Sequence, residues 1–332
     1  MQAVNRRLVL AERPEGMVDA RTLRLEQQEV DGPGPGEALA RVRYLSIDPT
    51  IRTWMNDAPG YLPPIAIGEV VRSGGIAEVL ESNTPAYEPG QLLFGLTGWQ
   101  EYVTAAEGAM QPLPAGVPPQ KALGVLGLTG MTAYFGMLDV GRVGEGDVVV
   151  VSAAAGATGS SAGQIARIAG AAKVIGIAGG AEKCAWVAEN AGFDTAIDYK
   201  REDVAQRLRE EAPEGIDLYF DNVGGEILEA CLGQLALHGR IVLCGAIASY
   251  NDTRASGPAN YTMLIIRRAR MEGFLILDYV DRFPQAQLAM GGWLNEGRIV
   301  SAEHVVNGLE HAPDALNLLF TGGNLGKVIV EL

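Results

Sequence analysis

One segment constrains this chain more than any other: Val148-Val149-Val150-Val151-Ser152-Ala153-Ala154-Ala155-Gly156-Ala157-Thr158-Gly159-Ser160-Ser161-Ala162-Gly163. The valine run predicts a buried strand. A loop of small residues follows, and then Ala162, Ile165, Ala166 and Ala169 recur at helical spacing. A strand that feeds a small-residue loop and opens a helix is the first part of a βαβ unit. The N-terminus of such a helix offers unpaired N–H groups and the positive end of its dipole. Gly156, Ala157, Thr158 and Gly159 are therefore candidate pyrophosphate-binding residues. The usual G-x-G-x-x-G reads A-x-x-G-x-x-G here, starting at Ala153, so its first glycine is missing. Gly163, one turn into the helix, is expected to allow close packing on the strand.

The same alternation continues. Strands are expected over 147–152, Lys173–Ala178, Thr195–Asp198, Ile216–Asp221, 241–245 and 273–277, with helices over 160–169 and 182–190. That pattern predicts an α/β fold with a doubly wound parallel sheet. Residues before about 125 have a different texture. Strands are expected there at 37–45, 68–73 and 100–104, between turn clusters such as Gly32-Pro33-Gly34-Pro35-Gly36, Pro63-Pro64, Gly74-Gly75 and Pro89-Gly90. The 43 glycines suit so many turns. A helix near 312–320 and a strand over 327–330 complete the chain.

The second strand of the βαβ unit ends in Gly179-Gly180, without the acid that usually holds a ribose 2′-hydroxyl. Lys183 follows in the first turn of the next helix, and a cation there suits a 2′-phosphate. The expected cofactor is therefore NADP(H). The competing reading makes Lys183 a solvated helix residue offset by Glu182.

Other classes are disfavoured. With 26 basic and 40 acidic side chains the net charge is −14, which argues against nucleic acid and against an anionic membrane surface. No apolar run of about 18 residues is present. The short run Leu8-Val9-Leu10-Ala11 stops at Glu12, too soon for a secretory signal. Three scattered cysteines form no disulfide framework, so a reduced cytoplasmic setting is expected. Gly159-Ser160-Ser161-Ala162-Gly163 matches the G-x-S-x-G nucleophile elbow, with His238, His304 and His311 downstream, but Ser161 is expected inside a helix. The first 183 residues contain no His and no Cys, so no catalytic metal is expected. None of the ten tyrosines has a lysine four positions later, which closes the short-chain dehydrogenase route.

Several motifs occur together in order along the chain: Tyr44-Leu45-Ser46-Ile47-Asp48-Pro49, Gly130-Met131-Thr132-Ala133-Tyr134-Phe135-Gly136, Ala153–Gly159, Tyr219-Phe220-Asp221-Asn222-Val223-Gly224-Gly225, Cys244-Gly245-Ala246-Ile247 with Tyr250-Asn251, and Asn324-Leu325-Gly326-Lys327. In this the chain resembles the zinc-independent medium-chain dehydrogenase/reductases, in particular the branch of prostaglandin reductases and alkenal double-bond reductases. The resemblance implies a β-rich GroES-like catalytic domain over 1–127, a Rossmann NADP-binding domain over 128–290 and a return to the catalytic domain over 291–332. It implies that Gly156 to Gly159 bind the pyrophosphate, that Lys183 and Tyr199 hold the 2′-phosphate, and that Asn222 lies near the ribose. Cys244, Gly245, Ala246 and Ile247 would line the nicotinamide side with Phe274, Leu275 and Ile276, and Asn324 would close over the cofactor. Tyr250 is the candidate proton or hydrogen-bond donor, with a plain pocket wall as its alternative. Many relatives read Asp-Pro-Tyr-Met-Arg where this chain has Asp48-Pro49-Thr50-Ile51-Arg52, so Trp54 and Tyr61 are only weak candidates for the substrate pocket. The implied activity is NADPH-dependent reduction of the C=C bond of an enal or enone, and the implied assembly a homodimer. A zinc-free quinone reductase, an allylic-alcohol dehydrogenase and a non-catalytic NADPH-binding protein remain the alternatives.

Overall fold

The computed structural model describes residues 3–252 and 256–332. These fall into two compact units: one of residues 3–123, 250–252 and 303–332, the other of 124–249 and 256–302.

The first unit is built on antiparallel pairing. β1 (Val4–Leu10) and β2 (Leu23–Glu29) form a two-stranded ribbon. The apolar run Leu8-Val9-Leu10, too short for a leader, is the buried half of β1. β3 (Glu37–Ile47), β4 (Gly74–Ser82), β5 (Leu92–Leu96), β6 (Tyr102–Ala106) and β7 (Gln111–Pro112) make most of a mixed sheet. The strand expected at 68–73 is not there. Only Val70 bridges, to Val9, and β4 begins at the Gly74-Gly75 pair that reads as a turn. Gly75 belongs in the strand because a Cβ there would lie 2.5 Å from the Tyr44 carbonyl and 2.3 Å from Thr97 Oγ1.

The second unit is a six-stranded parallel sheet. Its strands are β8 (Val148–Ser152), β9 (Lys173–Ala178), β10 (Thr195–Asp198), β11 (Ile216–Asp221), β12 (Leu235–Leu243) and β13 (Arg270–Gly273), in the order β10-β9-β8-β11-β12-β13. Helices Ala157–Ile168, Ala181–Glu189, Val204–Glu211 and Gly225–Gly233 connect the first five. Sheet faces covered by helices explain why Val149, Val150 and Val151 are all fully buried instead of alternating with polar residues. The strand order reverses between β8 and β11, and ligands of open α/β sheets sit beyond the carboxyl ends at such a reversal. The last strand is displaced from its expected place: β13 stops at Gly273, and a 3-10 stretch, Ile276–Arg282, follows.

The chain then returns to the mixed sheet. β14 (Glu303–Asn307) and β15 (Lys327–Glu331) pair in parallel, and β15 lies antiparallel against β3. Between them the helix Ala312–Thr321 buries Ala312, Ala315 and Leu316. Among the described residues no helix is long and apolar enough to cross a membrane.

Candidate functional site

The loop after β8 keeps the shape that its missing glycine would have given. Ala153 has φ +49°, the left-handed region that glycine enters freely. Gly156 caps the following helix in an extended conformation, and no side chain caps it. Among the described residues nothing accepts from the N–H groups of Ala157, Thr158 and Gly159. Three free donors at the end of a twelve-residue helix suit an anion. Gly159 also closes the turn, because a Cβ would come within 2.3 Å of the Ala153 carbonyl oxygen. Gly163 serves a different neighbour from the one expected. A Cβ there would strike the ring of Phe193 at 1.9 Å, while the helix itself packs on β8 and β9. Ser161 is buried in the helix, its hydroxyl donating to the Ala157 carbonyl, which removes it as a nucleophile.

A cationic corner stands at the ends of β9 and β10. Lys183 is half-buried and, among the described residues, has no hydrogen bond or ion pair to an acid. Burial first, and then the charge of Lys200, holds its ammonium below the usual lysine range, while Glu182 opposes the shift. A cation in that position gains from an incoming anion. Tyr199, 44% exposed, lays its ring against Gly179, where a Cβ would sit 2.7 Å from the ring edge. The acid that ends β10 is already committed. Asp198 Oδ1 accepts from the Gly180 N–H at 2.8 Å and the Lys200 N–H at 3.1 Å, and so shapes the loop.

Asn222 stitches β11 to β8. Its backbone N–H donates to Ser152 Oγ at 2.9 Å and its Nδ2 to the Ser152 carbonyl at 2.7 Å. Cys244 and Gly245 donate their N–H groups to the Asp221 carbonyl, which pins the loop of Cys244, Gly245, Ala246 and Ile247 beside that turn. Cys244 is half-buried as a residue, but its thiol is enclosed. Burial and then the Asp221 charge push that thiol up to about 12, so it is unreactive. The Phe274 ring packs over Gly136 with Phe220 and meets Tyr279 edge-on, and Leu275 and Ile276 lead into the 3-10 stretch.

The remaining candidates belong to the mixed-sheet unit. Tyr250, half-buried, is the residue after the short turn Ile247–Ser249. Asn324 is buried and donates to the Gly326 carbonyl at 3.0 Å. Trp54 and Tyr61 meet edge-to-face at 6.3 Å and line a cleft of about 240 Å³ with Thr53, Pro59, Leu62 and Pro64. The Thr50 hydroxyl hydrogen-bonds the Tyr61 hydroxyl, so the residue that departs from the relatives' tyrosine fixes a wall of this cleft. The Trp54 indole N–H is enclosed without an acceptor among the described residues.

Two charged residues escape a reading of the sequence. Asp221 is fully buried at the end of β11. Lys327, 2% exposed, donates to Asp48 Oδ1 at 2.6 Å and to the Ile47 carbonyl at 2.7 Å. An acid that ends an apolar strand was the one available signal for the first. The second carried none, because its partner lies 279 residues away.

Comparisons with known proteins cover nearly the whole chain. Residues 6–113 match the family described as N-terminal domain of oxidoreductase, and residues 157–290 match the one described as zinc-binding dehydrogenase. Among the described residues no group of three or more His, Cys, Asp or Glu side chains could hold a metal ion. The chain is 41% identical to the NADPH-dependent curcumin reductase of Escherichia coli (strain K12), over 99% of this chain and 97% of that protein. It is 40% identical to the 2-alkenal reductase (NADP(+)-dependent) of Nicotiana tabacum, over 90% of this chain and 88% of that protein. Among solved structures, CurA from Vibrio vulnificus in complex with NADPH superposes with a TM-score of 0.93 at 43% identity, covering 98% of both chains.

Proposed function

Since the chain belongs to the zinc-independent medium-chain dehydrogenase/reductases, we propose that it reduces the C=C bond of an α,β-unsaturated aldehyde or ketone with NADPH. The observation that carries this reading is Lys183: a half-buried ammonium without an acidic partner among the described residues, near a second lysine, in the first turn of the helix after β9. The names of the relatives support both the cofactor and the reaction.

When bound, NADPH would supply the hydride that adds to the substrate's β-carbon, and a proton from Tyr250 or water would complete the reduction at the α-carbon. In our reading the residues of the chain bind and orient. The N–H groups of Ala157, Thr158 and Gly159 hold the pyrophosphate, and Lys183 with Tyr199 holds the 2′-phosphate. Asn222 and the loop from Cys244 to Ile247 set the ribose and nicotinamide edge, with Phe274, Leu275 and Ile276 behind and Asn324 closing over. Negative charge develops on the substrate's carbonyl oxygen as the hydride arrives. The Tyr250 hydroxyl donates a hydrogen bond to that oxygen, an interaction worth about 3 kcal/mol when well aimed. Trp54 and Tyr61 receive the apolar end of the substrate.

The test follows NADPH absorbance over a panel of 2-alkenals, enones and simple quinones, with NADH as the control. We expect NADPH-dependent turnover of enones to the saturated carbonyl. Lys183→Ala should raise the KM for NADPH by about 10- to 100-fold, the worth of one hydrogen bond to a charged group, and leave that for NADH unchanged. Equal rates with NADH would remove the 2′-phosphate assignment. A quinone-only profile would make the protein a quinone reductase, and silence across the panel a cofactor-binding protein without turnover. We also infer a second copy as partner. β13 ends the parallel sheet, and Ile265 and Ile266 just before it are 75% and 60% exposed. Light scattering should return twice the chain mass, and Ile265→Glu should halve it.

A further inference from the structure

Asp221 stands where the parallel sheet reverses order, at the end of β11, and is 0% exposed. Its carboxylate is used one-sidedly. Oδ1 accepts from the Tyr219 hydroxyl at 2.6 Å, the Ser152 hydroxyl at 3.2 Å, and the backbone N–H groups of Val223 and Gly224 at 2.9 Å each. Oδ2 is buried and has no partner among the described residues. Such an arrangement is costly for a carboxyl group, and nothing assigned above to the reaction explains why it is kept.

What the carboxylate holds gives the reason. Val223 and Gly224 form the turn after β11, in which Gly224 and Gly225 have φ of +72° and +55°. That turn in turn holds the next loop. The Asn222 carbonyl accepts from Ile247 at 3.3 Å and the Val223 carbonyl from Ala248 at 3.1 Å, while the Asp221 carbonyl accepts from Cys244 and Gly245. Two loops are thus stacked edge to edge, and the lower one is anchored through its N–H groups to a single buried oxygen. Tyr219 and Ser152 fix that oxygen from the core side and from β8.

We propose that Asp221 is a positioning residue for the dinucleotide: it pre-forms the turn of Asn222 to Gly225 and, through that turn, the loop of Cys244 to Ile247. The proposal rests on the reading above, in which these two loops flank the ribose and the nicotinamide. Loops held in their bound shape before the cofactor arrives spare it the ordering cost, so the effect falls on affinity.

The experiment is NADPH binding by fluorescence titration, with steady-state kinetics and thermal melting, on the full chain and three variants. Asp221→Asn keeps the shape and an acceptor oxygen but loses the charge. We expect its Kd and KM for NADPH to rise about tenfold while kcat at saturating NADPH stays within about threefold. Ser152→Ala, which frees the Asn222 N–H, should move the same constants in the same direction by about threefold. Tyr219→Phe removes another donor to the same oxygen and should weaken binding in the same direction, by about threefold. A merely structural role would lower the melting temperature and the active fraction but leave KM unchanged. The proposal is overturned if Asp221→Asn binds NADPH as the parent does. Should Asp221→Asn fail to fold, Ser152→Ala decides: a weakened Kd supports the proposal and an unchanged one overturns it. If the parent chain itself does not bind NADPH, the functional reading fails first, and this proposal falls with it.

Discussion

Lys327 in the mixed sheet and Asp221 in the parallel sheet are both ionisable side chains shut away from water, and they are neutralised by different means. Lys327 meets an opposite charge, Asp48, which Ser46 Oγ also supports. Asp221 meets only neutral donors, two of them backbone N–H groups within three residues of itself. An ion pair between segments 279 residues apart decides which strands come together. A carboxylate satisfied by its own neighbours decides instead the path of the next few residues. The first device specifies topology and the second specifies a loop.

The largest effect should come from breaking the ion pair on its acidic side. Asp48→Ala strands a buried ammonium and should cost about 3 kcal/mol in urea unfolding. Lys327→Met should cost only about 1 kcal/mol, because Asp48 keeps its Ser46 bond and its side chain is 23% exposed. The double variant should then unfold close to Lys327→Met alone. If the two single variants lose equal amounts, the asymmetry between the partners is wrong.

Titration should separate the two devices by the sign of their slopes. Burial lifts Asp221 above the ordinary carboxylate range despite its donors, so the folded chain holds that proton more tightly than the unfolded one. Its contribution is fully present below the ordinary carboxylate value and is lost as pH rises through the raised one, at up to about 1.4 kcal/mol per pH unit. Burial depresses Lys327, against the pull of Asp48, so the folded chain releases that proton first. Stability therefore gains as pH rises from the depressed value towards the ordinary lysine one. Unfolding free energies measured against pH should lose the acid-side slope in Asp221→Asn and the alkaline-side slope in Lys327→Met. An unchanged profile in either variant would break the comparison.

The smallest effect concerns strain in place of charge. Ala153→Gly relieves a left-handed alanine at the exit of β8 but loosens the unfolded chain, for a net gain of about 0.5 kcal/mol. A loss of stability in the same urea assay would mean that the Ala153 methyl group contributes packing that outweighs its backbone cost.

How much of this was legible follows from how far each feature reaches along the chain. Lys173–Ala178, Thr195–Asp198 and Ile216–Asp221 match the structure at both ends; the first shows the apolar run, from Val174 to Ala178, of a strand covered on both faces. The strand, turn and helix around Gly156 were equally readable, since they are adjacent in sequence. The mixed sheet was not. β2 reads Leu23-Arg24-Leu25-Glu26-Gln27-Gln28-Glu29 with no fully buried residue, and β4 was shifted because the reason for Gly75 lies in Thr97 and Tyr44. Gly163 was noticed for its spacing, but its partner Phe193 could not be read from a helix pattern. At the candidate site, Lys183 stood out by the absence of an acid before it. Asp221 and Lys327 stayed hidden because their meaning depends on burial and on partners such as Ser152, 69 residues away.

The place of β15 has a consequence for how the chain is made. It fills the slot beside β3, but Lys327 and Ile47 are 280 residues apart, and all six strands of the parallel sheet are translated between them. During synthesis the parallel sheet can therefore finish while the end of β3 from Tyr44 to Ile47, beyond the part that β6 covers, still waits with an open edge. Such an edge invites pairing with other chains until the final strand arrives. A ribosome that stalls before Lys327 is added would leave a nascent chain with one sheet formed and the other still unclosed.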